Sequence, residues 1–123
     1  FSARVNEAYD VLKRPLSRAL YLLEVTGVSQ EDISSHQIDG GFLITQMELR
    51  EKLESVSGLV DPDEVLEHLV AEIKQDLEVE QAQFARAYGE GDMDAAAGAC
   101  VKMQYLEKIL QEAEQVEADL MER

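Results

Sequence analysis

The 123-residue sequence contains no tryptophan, one cysteine, two prolines and seven glycines, and only 6% of its residues are aromatic. Ala, Leu, Glu and Gln are abundant instead, and these residues form helices readily. We therefore predict an all-α protein of one domain, or one and a fraction. Hydrophobic residues make up 46% of the chain, which is enough for a core and argues against a disordered tail.

Basic residues are also scarce: 11 against 26 acidic ones, for a net charge of −15. A chain this acidic repels nucleic-acid phosphates, so we do not expect nucleic-acid binding. The acidity has two other readings, plain solubility or steering toward a basic partner. No apolar run is long enough to predict a membrane span, and no signal peptide is visible. Because the chain begins with Phe1 rather than Met, we expect that a longer product has been trimmed.

The single thiol, Cys100, cannot form an internal disulfide or a structural zinc site, which favours a reducing compartment. It lies among small residues, so we predict a buried hydrophobe rather than a nucleophile. His36 and His68 lack the Glu-x-x-His spacing of a helical di-iron site, so each is read as a surface or capping histidine. With no Gly-rich phosphate loop and no nearby Cys/His pair, we predict no metal, no cofactor and no enzymatic activity.

Start and stop signals divide the chain into five helical segments and one polar loop. Pro15 suits the first turn of a helix, Thr26-Gly27 a helix end, and Asp61-Pro62 and Asp92 two further helix starts. The predicted helices are Ser2–Lys13, Pro15–Val25, Gly41–Val56, a segment from Pro62 to about Tyr88, and one after Asp92, with residues 27–40 as a loop. Short turns join the last three helices, which predicts an antiparallel three-helix bundle.

The segment GFLITQMELREKLE, residues 41–54, has apolar residues on two faces of its predicted helix. At about 100° per residue, one narrow stripe collects Phe42, Leu49, Leu53 and Val56, and this stripe is the natural core face. Leu43, Ile44 and Met47 fall roughly 80–200° away from that stripe, beside Glu48 and Glu51. Helix geometry leaves two explanations: the second group packs against the helix Pro15–Val25, or it is a docking patch with an acidic rim.

Two motifs resemble the HscB, or Jac-type, co-chaperone family. RVNEAYDVLKRPLSRALYLLEVTG, residues 4–27, is similar to the junction between the end of that family's J-domain and the start of the next segment of the chain. FLITQMELREKLE is similar to the first helix of its C-terminal domain, and AAAGACVKMQYLEKILQEAEQ to its last. The first motif rests on Asn6, Ala8, Tyr9, Leu12, Pro15, Arg18, Ala19, Tyr21, Leu22 and Leu23. The likeness is weakest in the loop and the middle helix.

The resemblance implies a binding module without catalytic chemistry. In that family the J-domain stimulates ATP hydrolysis by the DnaK-class chaperone HscA, and the C-terminal domain binds the iron–sulfur scaffold protein IscU. Carried over by position, the scaffold-binding residues are Leu43, Ile44, Met47, Glu48, Glu51 and Tyr105. The family often has Met at the position of Ile44 and Phe at that of Tyr105, and a further acidic position falls on Ser55.

The resemblance also implies domain limits: the end of a J-domain with a connecting helix over residues 1–26, a linker over 27–40 and a three-helix domain over 41–123. The family's His-Pro-Asp tripeptide is absent, since Gln37 follows His36 and Leu69 follows His68. We therefore expect that these 123 residues alone do not activate an HscA-type chaperone. The expected location is the bacterial cytoplasm, or the mitochondrial matrix of a eukaryote. The alternative function is a self-associating helical domain with the same face as its seam.

Overall fold

A computed structural model describes residues 14–36 and 38–122, so the predicted helix Ser2–Lys13 lies outside the described residues. The helices are α1 (Pro15–Val25), α2 (Gln30–Ser34), α3 (Gly40–Ser55), α4 (Pro62–Gly89) and α5 (Met93–Met121), with a 3₁₀ turn over Val56–Gly58. No strand occurs within the described ranges. The all-α prediction is confirmed.

The ends of α1 follow the signals in its sequence. Pro15 occupies the start of the helix, where its missing N–H costs no hydrogen bond. At the other end the Thr26 hydroxyl donates to the Leu22 carbonyl at 2.7 Å. Gly27 then adopts φ +95°, a left-handed conformation that glycine reaches without strain. The predicted helix Pro15–Val25 is confirmed to the residue.

One part of the predicted loop over residues 27–40 is helical, and the loop prediction was wrong there. Ser29 and Asp32 form a reciprocal capping box at the start of α2. The Asp32 N–H donates to Ser29 Oγ at 3.1 Å, and the Ser29 N–H donates to Asp32 Oδ2 at 3.3 Å. Ile33, only 1% exposed, fixes this short helix in a core. Ser and Asp are common in turns and at helix starts alike, so their abundance alone did not separate the two.

Three aspartates cap the longer helices through their carboxylates. Asp39 accepts from the Phe42 N–H at 2.7 Å, Asp61 from the Glu64 N–H at 3.5 Å, and Asp92 from the Ala95 N–H at 3.1 Å. Each bond satisfies an N–H that has no partner within its helix, and the carboxylate also favours the positive end of the helix dipole. The starts predicted at Asp61 and Asp92 are confirmed.

The chain packs as two compact units. The first contains the described residues up to 36 together with residues 80–103, and its core includes Ala19, Leu23, Ile33, Phe84, Ala96 and Cys100. The second contains residues 38–79 and 104–122, and its core includes Leu49, Leu53, Val56, Leu66, Ile73, Leu106, Ile109 and Ala113. The domain limits 1–26, 27–40 and 41–123 stay a prediction about the family's domains.

Within the second unit, two contacts give the relative direction of α3 and α5. Phe42 meets Tyr105, and Arg50 meets Glu112, so both helices advance in the same sense. The steps match in length, since eight residues of α3 and seven of α5 each span roughly 11–12 Å. Parallel first and third helices are what an up-down-up bundle requires, because α4 must return the chain between them. The three-helix arrangement therefore agrees with the predicted bundle.

Candidate partner-binding face

The candidate site lies on α3, and the start of that helix positions it. The carboxylate of Asp39 caps the first turn, and the Thr45 hydroxyl donates back to the Gly41 carbonyl at 3.0 Å. These local bonds set the rotation of the helix from its first residues. Every side chain from Phe42 to Ser55 then takes the angular position that a regular helix gives it.

One face of α3 is buried. Leu49 is 3% exposed, Leu53 6% and Val56 0%. Phe42, the fourth member of the predicted core stripe, is half-buried at the beginning of the helix. The predicted core face is therefore confirmed for three residues and partly for Phe42. This face is the contribution of α3 to the core of its unit.

A second face of α3 is exposed, as the helix geometry predicts. Leu43 exposes 38% of its surface, Ile44 58% and Met47 64%. The explanation that this group is buried against the helix Pro15–Val25 is therefore wrong. We call Leu43, Ile44, Met47, Glu48 and Glu51 the exposed α3 face. It contains three apolar side chains that the described chain leaves in contact with water.

Acidic side chains border this apolar centre. Glu48 and Glu51 are both exposed and lie one helical turn from Ile44 and Met47. Ser55 stands where the family has a further acidic residue, and its hydroxyl donates to the Lys52 carbonyl at 3.0 Å. The acidic rim is therefore formed by two carboxylates at this end of the face.

Tyr105, the predicted site residue on α5, reaches α3 through Phe42. The two rings meet edge to face, with centroids 6.3 Å apart and planes at 82°. This geometry suits the quadrupoles of aromatic rings and fixes the Tyr105 side chain. Tyr105 is still 43% exposed, so part of the ring is free for another molecule. Because Phe42 directly precedes Leu43 and Ile44, the contact brings Tyr105 beside the exposed α3 face.

Two contributions to this site were missed by the sequence reading. Phe42 was assigned to the core, but it also carries the Tyr105 ring. Arg50 was assigned no role, but its Nη2 lies 3.3 Å from Glu112 Oε1 and ties α3 to α5 beside the exposed face. Both contacts join residues more than 60 positions apart, so local sequence carries no signal for them.

The described residues hold no group of three or more His, Cys, Asp or Glu side chains arranged for a metal ion. Cys100 is fully buried, as predicted, and burial raises the pKa of its thiol to about 11. His68 is exposed, but His36 is half-buried, with Nε2 3.5 Å from Asp94 Oδ1 and its ring against Gly98. The surface reading therefore holds for His68 alone. Neither histidine lies on the exposed α3 face.

The first unit has a cavity of its own, of about 520 Å³. Its walls come from α1 and from the end of α4, where Phe84 and Tyr88 stack at 5.7 Å and the Tyr88 hydroxyl donates to the Leu22 carbonyl at 3.4 Å. None of the predicted site residues lines it. No helix among the described residues is long and apolar enough to cross a membrane.

Comparison with known proteins places this architecture in one family. Residues 38–114 match the HSCB C-terminal oligomerisation domain. The chain is 33% identical over 121 residues to the co-chaperone protein HscB homologue of Aeromonas hydrophila, covering 98% of this chain and 70% of that protein. It is 35% identical over 119 residues to the homologue of Shewanella loihica, covering 94% and 69%.

A solved structure agrees with the sequence comparisons. The chaperone HscB from Vibrio cholerae superposes with a TM-score of 0.82 at 36% identity, covering 96% of this chain and 68% of that one. The described fold and the exposed helical face define a helical binding module. The chain belongs to the HscB family of co-chaperones. Co-chaperones act on another chaperone and are not themselves enzymes.

Proposed function

We propose that the exposed α3 face, together with Tyr105, binds an IscU-type iron–sulfur scaffold protein and presents it to an HscA/DnaK-class chaperone. One observation carries the proposal. Leu43, Ile44 and Met47 remain exposed on a helix whose opposite face already supplies the core residues of its unit. Family membership supports it, because the face falls on the positions that the family uses for the scaffold.

The energetics of the face suit a specific and reversible contact. Fully burying one such apolar side chain stabilises by about 1.5–3 kcal/mol. Each of the three is already partly covered, so a partner gains a fraction of this value from each. Fixed by Phe42, the Tyr105 ring adds a rigid aromatic edge, and aromatic residues are enriched among the dominant contacts of interfaces.

Charge gives the partner a second property. Glu48 and Glu51 border the apolar centre, and the chain carries a net charge of −15. The matching surface on the scaffold should be an apolar patch with Lys or Arg around it. Such complementarity raises the association rate and fixes the register more than it raises affinity.

The proposal assigns scaffold binding, and not chaperone activation, to these 123 residues. The tripeptide His-Pro-Asp, with which the family's J-domains stimulate ATP hydrolysis, does not occur among them. Presentation of the scaffold to the chaperone therefore requires such a loop in addition to the exposed α3 face. The compartment we propose is the bacterial cytoplasm, or the mitochondrial matrix of a eukaryote.

Calorimetric titration of the full chain with a purified apo IscU-type scaffold tests the proposal. Ile44→Asp places a charge at the centre of the face, so we expect binding to fall at least a hundredfold. Met121→Asp is the matched control, since Met121 is 81% exposed and lies 16 residues beyond Tyr105 on α5, roughly 24 Å along the helix. Equal affinities of the two variants would contradict the proposal.

A second candidate function is self-association through the same face. The matched family domain is described as an oligomerisation domain, which favours this alternative. Against it, a two-fold axis through the face would bring the carboxylates of Glu48 and Glu51 close to those of the other copy. Sedimentation velocity at micromolar concentration separates the two. We expect a monomer, and a dimer abolished by Ile44→Asp would establish the alternative.

A further inference from the structure

The five sulfur atoms of the chain, in four methionines and one cysteine, lie in sharply different environments. Met103 is 1% exposed and Cys100 is fully buried, whereas Met47 and Met121 expose 64% and 81% of their surfaces. Met93 is intermediate. The Cys100 thiol also has a pKa raised to about 11, so it carries almost no reactive thiolate near neutral pH. An oxidant in solution therefore meets the exposed methionines first.

Only one of these two accessible sulfurs lies within the exposed α3 face. Met47 follows Leu43 by four residues and Ile44 by three, so its thioether belongs to the apolar centre of that face. Met121 is at the far end of α5. The same chemical event at these two positions therefore has different consequences for partner binding.

We propose that Met47 is an oxidation site whose sulfoxide turns off the exposed α3 face, an inference that rests on the proposed scaffold binding. The oxidant is a hydroperoxide. The thioether sulfur attacks one peroxide oxygen, the O–O bond breaks, and the sulfur gains that oxygen while the peroxide is reduced to water or an alcohol. Methionine sulfoxide reductases reverse this oxidation, so the site works as a switch.

The surroundings of Met47 make its sulfoxide a poor interface residue. A sulfoxide oxygen needs a hydrogen-bond donor when it leaves water. The neighbours at three and four positions along the helix are Leu43, Ile44, Arg50 and Glu51. The two apolar side chains and the carboxylate donate nothing, and the guanidinium of Arg50 is paired with Glu112 at 3.3 Å. A partner that buries the face must therefore bury an oxygen without a donor from this helix.

The test treats the full chain with hydrogen peroxide and follows each methionine by peptide mass spectrometry. Met47 and Met121 should become sulfoxides well before Met103. Scaffold affinity is then measured before and after treatment, with a purified apo IscU-type scaffold as the probe. We expect the Kd to rise about tenfold or more, and treatment with methionine sulfoxide reductases to restore it.

Two variants separate Met47 from other lesions. Met121→Leu should lose affinity on oxidation as the unmodified chain does. Met47→Leu should keep a ratio of oxidised to unoxidised Kd near one, whatever its own starting affinity. Fully oxidised Met47 with an unchanged Kd would overturn the switch and leave scaffold binding intact, and an equal loss in Met47→Leu would also overturn it. If the untreated chain does not bind the scaffold, the proposed function fails and the switch fails with it.

Discussion

The two apolar faces of α3 are built from the same kinds of residue and lie in opposite environments. Leu49 and Leu53 are at most 6% exposed, whereas Ile44 and Met47 are about ten times more exposed, at 58% and 64%. Hydrophobicity therefore does not decide which side chains of this helix are buried. The angular position around the helix axis decides it, because one side of α3 packs into the core of its unit and the other meets water.

This difference separates residues that maintain the fold from residues available to a partner. The buried face stabilises the unit by removing apolar surface from water. The exposed face contributes little to stability and carries a cost in solubility, which the acidic residues around it offset. Substitutions on the two faces should therefore change different measurements.

The largest effect on stability is expected on the buried face. Leu53→Ala should lower the free energy of unfolding by about 2–5 kcal/mol, because it removes buried methyl groups and leaves a cavity. Urea denaturation measures the change. The affinity of the folded fraction for the scaffold should stay close to that of the unmodified chain. A loss below about 1 kcal/mol would mean that this face is not core.

A smaller effect is expected at the start of α3. Asp39→Ala removes the acceptor of the 2.7 Å bond from the Phe42 N–H and should cost about 1 kcal/mol of stability. Asp39→Asn keeps a capping oxygen and should restore most of that loss. Thermal unfolding of the two variants makes the comparison, and equal stabilities would show that the cap does not hold α3 in place.

The smallest effect is expected at the acidic rim. The double change Glu48→Gln and Glu51→Gln should weaken scaffold binding by under about 1 kcal/mol, because exposed charge pairs are screened by water and salt. Its clearer sign is kinetic: the association rate should fall and depend less on ionic strength. Glu117→Gln, an exposed acid farther along α5, is the control. An unchanged salt dependence would remove the rim from the interface.

The fold was predictable from the sequence where start and stop signals are local. Pro15, Gly27, Asp61 and Asp92 each mark an end of a helix through chemistry within four residues, and the structure confirms all four. Helix α2 was missed because Ser29 and Asp32 are as common in turns as in capping boxes. Local residue counts cannot distinguish these two uses.

The candidate site was predictable in part for a related reason. The exposure of Leu43, Ile44 and Met47 follows from angles along one helix, and the structure confirms it. The placement of the Tyr105 ring on Phe42, and the Arg50–Glu112 pair, depend on how two helices align across more than 60 residues. That alignment is set by the packing of the whole unit. The partner-binding role of these residues stays a proposal.

The most direct test of the account removes the apolar centre of the exposed α3 face and measures stability and binding on the same sample. The triple variant Leu43→Ala, Ile44→Ala and Met47→Ala should unfold within about 1.5 kcal/mol of the unmodified chain, since each change is at the surface. Its affinity for the apo IscU-type scaffold should fall at least a hundredfold, or about 2.7 kcal/mol. An unchanged affinity, or a loss of about 5 kcal/mol in stability, would contradict the claim that this face is reserved for a partner.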